Sequence, residues 1–481
     1  MSRPLPFAGV LAGALLASGC AGTGGLQPVS APRDAADYAL TRSLAGAPLS
    51  DAAFPDRQWW RSLGDPQLDA LIDEALRGTP SLAAADARVR KAQAQAGLAD
   101  AARKPTLGGS GQYAMAQLPE GLVGDALGGR LLHNEVLTFK LDWPLDVWGG
   151  KRAAYAAALD QAHALQIDAQ AARLALAANV ARSYVALAQA FDALDIAQRE
   201  QARSENLLQL ATQRVKAGLD NRISLHNTEA MIATAKAQAG AAQQQIDALR
   251  NTLAALLGQG PDRGLAIARP QLLNAPAPVL PSVLPSELLG HRPDVVAARW
   301  RVEAAAQGIK TAKASFKPSI DLSALVGLAS AGIEDLFRSS SLLGFGGPAI
   351  SLPIFDGGQL RNNLAARNAD YDLAVADYDA TATQALREVV DTLQAIRALD
   401  GQIAASEQAR AAAKAALELA QARYQAGLNT RLDVLAAQKP LLQIEQQTAG
   451  LRAQRFLAGI DLERALGGGL QIDPPDTTAS H

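Results

Sequence analysis

One stretch occurs twice in this chain, and its recurrence limits the folds open to it. The first copy is Leu141-Asp142-Trp143-Pro144-Leu145-Asp146-Val147-Trp148-Gly149-Gly150-Lys151-Arg152, the second Ile350-Ser351-Leu352-Pro353-Ile354-Phe355-Asp356-Gly357-Gly358-Gln359-Leu360-Arg361. Each is a few apolar residues of strand character, a proline, a turn closed by a glycine pair, and then a very long alanine-rich helical pattern. Pro144 and Pro353 are 209 residues apart, and the same offset relates Lys216-Ala217-Gly218-Leu219 to Gln425-Ala426-Gly427-Leu428. Upstream, Thr79-Pro80 pairs with Arg292-Pro293 and Lys104-Pro105 with Lys317-Pro318, both at an offset of 213. A repeat longer than 200 residues is a duplicated domain rather than a solenoid unit.

The 481 residues are therefore read as two intertwined halves of one body rather than as three unrelated domains. A net charge of -2 gives no electrostatic reason for a nucleic-acid partner or an anionic surface. Aromatics make up only 4% of the chain, which suits alanine-rich helices in close approach. The start, Met1-Ser2-Arg3 followed by an apolar run from Phe7 to Ala17 and then Ser18-Gly19-Cys20, describes a secretory signal over 1–19 that is too short to span a bilayer. Cys20, the single cysteine, stands after Ala-Ser-Gly in a pattern that resembles the bacterial lipobox, so it is the expected lipidation site. Ala21 follows it where an inner-membrane retention signal would have Asp, which points to the outer membrane.

Residues 20–58 read as a lipidated tether rich in Gly, Pro, Ala and Ser. The first repeat, 59–260, opens on Trp59-Trp60, and Asp65-Pro66 starts a helix with Leu68, Leu71, Ile72, Ala75 and Leu76 at helical spacing. Further helices are expected over about Ser81–Arg103 and about Asp294–Ser315. The segment 261–291 is a proline-rich connector, 292–469 the second repeat, and 470–481 a tail. After each Lys-Pro the period changes to two. Strands are expected over 105–115, 136–144, 318–328 and 346–353, with irregular segments 116–135 and 329–347 between the members of each pair. Leu137, Phe139, Leu141 and Trp143 fall on one face, opposite Thr138, Lys140 and Asp142. An apolar face ending in tryptophan fits lipid. Four strands cannot close a barrel, and open edges are not tolerated in hydrocarbon, so several copies must share one.

Long hairpins are expected over 149–258 and 357–466. Their outgoing arms are proline-free for 70 residues, about 105 Å of helix. Val180, Tyr184, Leu187, Phe191 and Leu194, answered by Val389, Leu393, Ile396, Asp400 and Ile403, form coiled-coil seams. Gly218 and Gly427 end the arms at two tips, Leu219-Asp220 and Leu428-Asn429 follow them, and Asp220 and Thr430 are candidate caps. Asp433 and Arg431 at the second tip would form charged rings if copies met around an axis. The five histidines lie at no metal-ligand spacing, no phosphate loop is present, and nothing suggests catalysis or a cofactor.

The duplication, the Trp59-Trp60 to Leu68 opening, the junctions Pro144-Gly149-Gly150 and Pro353-Gly357-Gly358 and the Ala-Gly-Leu tips resemble the TolC-like outer-membrane efflux channels, in their lipoprotein branch. The resemblance covers about residues 57–469. It implies a fold that is mainly α with membrane β, in which a homotrimer builds a 12-stranded barrel and a helical periplasmic tunnel. It further implies a periplasmic adaptor, an inner-membrane resistance-nodulation-division pump and outer-membrane lipid as partners. Asp433-Val434-Leu435 matches the family's gate segment and Tyr424 a link tyrosine, with Ala436 where a second Asp is common and Asn429 where one branch has arginine. The resemblance also assigns Gly218, Leu219, Asp220, Gly427, Leu428 and Asn429 to adaptor docking. A periplasmic adaptor, a porin-like uptake protein and a duct for secreted polypeptides are the competing readings.

Overall fold

The computed structural model describes residues 22–34, 37–38, 42–43, 49–50, 55–117, 119, 121, 124, 129, 131–271, 280–281 and 290–469. The signal segment, Cys20, much of the connector and the tail lie outside the described residues. In order, the elements are β1 (Leu49–Ser50), a 3₁₀ turn (Trp59–Leu63), α1 (Pro66–Gly78), α2 (Pro80–Ala101), β2 (Thr106–Gln117) and β3 (Leu131–Leu145). There follow α3 (Gly150–Lys216), α4 (Arg222–Leu256), α5 (Pro261–Leu265), β4 (Leu280–Pro281), α6 (Pro293–Ala314) and β5 (Ser319–Ser330). The chain continues through a 3₁₀ turn (Ser339–Ser341), β6 (Leu342–Ser351), α7 (Gln359–Gln425) and α8 (Arg431–Ala465). Both outgoing arms, α3 and α7, have 67 residues, and both return arms, α4 and α8, have 35.

Two compact units are present, and each draws on both copies of the repeat. One comprises Met1–Pro32, Arg88–Leu165 and Ala298–Tyr378; the other comprises Arg33–Ala87, Gln166–Ala297 and Asp379–His481.

The first unit contains an antiparallel sheet in the order β2-β3-β5-β6. Pairing runs further than the alternation predicts: β3 begins at Leu131 opposite Gln117, and β6 begins at Leu342 opposite Leu328. The glycines of β6 carry no strand propensity of their own, so the ladder with β5 supplies what local sequence does not. Beside the sheet, Ile309, Ala312, Phe316 and Leu364 form a buried cluster against which Leu26 packs. Asp372 on α7 captures the early segment by accepting hydrogen bonds from the backbone N–H groups of Val29 (3.0 Å) and Ser30 (2.8 Å). The Ser30 N–H, followed by that of Val29, holds the Asp372 carboxyl below the usual carboxylate range. Asp372→Ala is expected to release this strap while leaving global stability nearly unchanged. Hydrogen exchange at Val29 and Ser30 should quicken, and unchanged protection would assign the strap to its apolar contacts instead.

The second unit holds the main core. Trp59, Trp60 and Leu63 of the first 3₁₀ turn pack with Leu68, Leu71 and Ile72 of α1, Val180, Tyr184 and Leu187 of α3, and Leu253 of α4. Each such Leu or Ile, moved wholly out of water, contributes about 1.5–3 kcal/mol. A second seam joins Leu386, Val389, Leu393 and Ile396 of α7 to Ala458 and Leu462 of α8. Asp400, in the apolar row of that pattern, pairs with Arg455 at 2.8 Å. The α3 helix contains a window apolar enough to cross a membrane, but half of that window is buried. It is the core-facing stretch of a helix packed on protein.

Both repeats tie the last carbonyl of the return arm to the residue before a proline, by different chemistry. Thr79 Oγ1 donates to the Leu256 carbonyl at 3.1 Å, and Arg292 Nη1 donates to the Ala465 carbonyl at 3.3 Å. Arg292 is buried and balanced by Asp294 (2.6 Å) and Glu388 (3.0 Å).

Burial pushes the Glu463 carboxyl on α8 up from 4.5 to about 7. Between those values the folded chain holds a proton that the unfolded chain releases, so stability falls as pH rises through this window. Glu463→Gln should leave stability at pH 5 nearly unchanged and raise it at pH 8 by on the order of 1–3 kcal/mol. Equal urea midpoints for the two proteins at pH 8 would contradict this.

Candidate functional site

Three regions carry the candidate residues: the two faces of the sheet, the junctions below it, and the helical tips. The register of the ladder sorts the faces. One face carries Leu107, Leu137, Phe139, Leu141, Trp143, Leu322, Val326, Leu328 and Ile350, and several of these are exposed, Val326 at 53% and Ile350 at 70%. The other face carries Thr106, Ser110, Thr138, Lys140, Asp142, Asp321 and Ser323. Ser110 and Thr138 share a hydrogen bond of 2.9 Å, and Lys140 pairs with Asp142 at 3.0 Å. Such an uncovered apolar face opposite a hydrated one is the pattern of a strand set between lipid and a water-filled lumen.

At the junctions the two glycine pairs do different work. Gly149 has φ +73°, whereas Gly150 is needed for close packing, since a Cβ there would meet the Ala314 Cβ at 2.7 Å. Gly357 and Gly358 are both left-handed, at φ +63° and +90°. Pro144 is the penultimate residue of β3, opposite Asp321, and Pro353 lies in the irregular link between β6 and α7. Asp146 caps α3 by accepting from the backbone of Lys151 (2.9 Å) and Arg152 (2.7 Å), and Asp356 does the same for α7 through Leu360 (2.6 Å). Trp148 stands half exposed, its Nε1–H donating to the Pro318 carbonyl at 2.7 Å, with Lys317 over its ring. An exposed tryptophan with its adjacent lysine, and the 91%-exposed Phe355 at the second junction, are the residue types expected at a membrane boundary.

The tips are built alike. Gly218 and Gly427 adopt φ +70° and +71°. Leu219 N–H then reaches the Arg214 carbonyl and Leu428 N–H the Arg423 carbonyl, both at 2.8 Å, which closes the helices as Schellman motifs. Leu219 is 69% and Leu428 68% exposed. The cap of α4 is Asn221, not Asp220: its side chain accepts from Ile223 and Ser224. Asp220 instead accepts from the Asn221 N–H at 2.8 Å and from Arg214 at 3.3 Å, and the Asn221 bond is the main reason its carboxyl titrates low. An Asn side chain one residue later reaches the orphan N–H groups with better geometry.

At the second tip Thr430 caps α8 as expected, and Asp433 completes a capping box. Asp433 accepts from the Thr430 backbone N–H at 2.8 Å and its hydroxyl at 2.7 Å, and that hydroxyl is the leading cause of its lowered pKa. Arg431 reaches Asn206 of α3 at 2.9 Å. The buried Arg203 of α3 donates to the Leu435 carbonyl at 3.2 Å. Tyr424 is partly exposed, and the buried Oδ1 of Asn429 has no partner among the described residues. Arg203 and Asn206 escape sequence reasoning because their contacts with α8 bridge 232 and 225 residues and leave no local pattern. Among the described residues no group of three or more His, Cys, Asp or Glu is placed to hold a metal ion.

A family model described as outer membrane efflux protein matches residues 71–259 and 284–468. The chain is 41% identical over 365 residues to the fusaric acid resistance protein FusA of Burkholderia cepacia, covering 75% of this chain and 68% of that protein. It is 31% identical over 474 residues to the multidrug resistance outer membrane protein MdtP of Escherichia coli, covering 97% of this chain and 96% of that protein. Among solved structures, the outer membrane protein VceC of Vibrio cholerae superposes with a TM-score of 0.79 at 37% identity, covering 87% of this chain and 100% of that one.

Proposed function

This chain belongs to the outer membrane efflux protein family, and from that premise we propose that three copies share one barrel to make a passive exit duct for small toxic solutes. The chain is an outer-membrane efflux channel, with a membrane sheet and long periplasmic helices. The reading as a periplasmic adaptor falls with that membership. One observation carries the duct: the sheet β2-β3-β5-β6 has an exposed apolar face, an oppositely directed polar face and two unpaired edges. Three copies would close those edges into 12 strands, a ring about 24 Å across at backbone level.

A periplasmic adaptor docks at the tips, where Gly218, Leu219, Asp220, Gly427, Leu428 and Asn429 present two exposed leucines on rigid turns. An inner-membrane resistance-nodulation-division pump delivers the solute and the energy. The gate lies at the second tip, with Asp433 supplying charge and Arg431 and Tyr424 the links. Support comes from the bonds that join this segment to the other repeat, Arg431 to Asn206 and Arg203 to Leu435. Cys20 carries lipid, and Gly22, two residues on, has its carbonyl held by Arg361 in the first turn of α7. The names of FusA and MdtP, which speak of resistance to fusaric acid and to multiple drugs, favour small solutes over polypeptides as cargo.

The proposal is tested in cells lacking their own efflux channel. Expression of this chain with its adaptor and pump should lower steady-state accumulation of a fluorescent efflux dye severalfold. Accumulation equal to that of the empty strain, with the protein present in the outer membrane, would contradict the duct.

A further inference from the structure

Two departures from the pattern of the sheet fall in one row. Lys140 is the single lysine or arginine in β2, β3, β5 and β6. It lies on the polar face, and its cross-strand partner on β5 is Leu325, which is in turn opposite Phe345 on β6. The alternation sets Leu325 and Phe345 on the same polar face as Thr138, Asp142 and Ser323, where apolar side chains are out of place. Phe345 is 68% exposed in the single chain, so no contact within the chain explains it. Thr106, Asp142 and Ser323 flank this row on one side; on the other lie Ser110 and Thr138, and that row ends in Leu343, which extends the apolar end beside Phe345.

We propose that Lys140, Leu325 and Phe345 form a solute-contact ring in the lumen that favours amphipathic anions, small molecules joining a carboxylate to an apolar ring or chain. The proposal rests on the channel reading, in which the polar face lines the lumen and each copy contributes one such row. The carboxylate of the solute takes Lys140, and its apolar part lies on Leu325 and Phe345. Asp142 already holds Lys140, at 3.0 Å, but both side chains are about half exposed. An exposed ion pair is weak, so one carboxylate can replace another at the ammonium. Asp142 and Asp321, on the same face toward the junction end, disfavour a lone anion. The apolar contact is what distinguishes an amphipathic anion from acetate.

The test uses purified full-length protein in planar bilayers with 4-butylbenzoate, acetate and 4-butylbenzylammonium as probes. Butylbenzoate should reduce the open-channel current at a concentration at least threefold below that needed for either control. Phe345→Ser and Lys140→Gln should each raise its half-blocking concentration at least fivefold, while Lys140→Arg retains the block. Lys140→Gln should also shift the zero-current potential in a KCl gradient toward potassium selectivity, because Asp142 loses its counter-charge. Unchanged block in both variants, or stronger block by the ammonium probe, overturns the ring while leaving the channel intact. Absence of any conductance step overturns the channel reading and the ring with it.

Discussion

Asp65→Ala is expected to destabilise the helical unit by about 3–5 kcal/mol, a large loss for a single residue outside the apolar core. The carboxylate is 4% exposed and performs three tasks. It caps α1 by accepting from Gln67 N–H at 2.9 Å, and it accepts from the Tyr184 hydroxyl and the Gln271 N–H, both at 2.8 Å. A lost cap costs about 1 kcal/mol, and each hydrogen bond to a buried charge about 1.5–3 kcal/mol. The Tyr184 hydroxyl keeps one partner, since Gln67 Nε2 donates to it at 2.6 Å, and this sets the upper limit of the loss. Burial is the first reason that Tyr184 titrates above the ordinary tyrosine range, so the hydroxyl remains a donor at all physiological pH. Asp65→Asn, which keeps an acceptor, should cost markedly less. Urea midpoints in detergent measure both, and equal losses for Ala and Asn would mean that charge rather than the bonds is what matters.

The second large effect is on conductance. Asp433→Ala is expected to raise single-channel conductance severalfold, because it removes both a charge from the proposed gate and the capping box that orders the first turn of α8. Two further variants separate these causes. Asp433→Asn removes the charge and keeps an acceptor; Thr430→Ala weakens the cap, at a cost of about 1 kcal/mol, and leaves the charge. A charge gate predicts that Asp433→Asn opens the channel and Thr430→Ala does not. The Thr430 hydroxyl and backbone N–H keep the Asp433 carboxyl charged below the usual carboxylate range. Lowering the pH to about 5 should therefore leave the Asp433 charge in place. Unchanged conductance in every variant would remove Asp433 from the gate.

The long-range plan was legible because it is written in local signals. Glycines at 218 and 427 end the outgoing arms within two residues of the helix termini, and the seam at Val180, Tyr184 and Leu187 is the buried one. Period-two alternation assigned Leu137, Phe139 and Leu141 to one face, as the ladder with β2 and β5 shows. What escaped was set by tertiary partners. The early strand residues Leu131 and Leu342 are strand because a neighbour pairs with them. Pro440 lies inside α8, where propensity alone would break the helix. Here α8 is held along both sides, by Arg203 and Arg199 of α3 and by Asp400 and Glu407 of α7. The strap over α7 was equally invisible, since its Val29 contact to Asp372 spans 343 residues and a Gly- and Pro-rich tether carries no periodicity. At the second tip the capping box is a local signal, since Thr430-Arg431-Leu432-Asp433 has the Ser/Thr-x-x-Asp/Glu spacing, whereas the bonds of Arg431 to Asn206 and of Arg203 to Leu435 leave no local pattern.

The most direct test of the duct is the oligomeric state of the detergent-purified mature protein, determined together with its conductance in a planar bilayer. A stable trimer with small, discrete conductance steps that grow in Asp433→Ala is the predicted result. A monomer that gives no steps in any lipid would contradict it, because the four strands would then have no barrel to close.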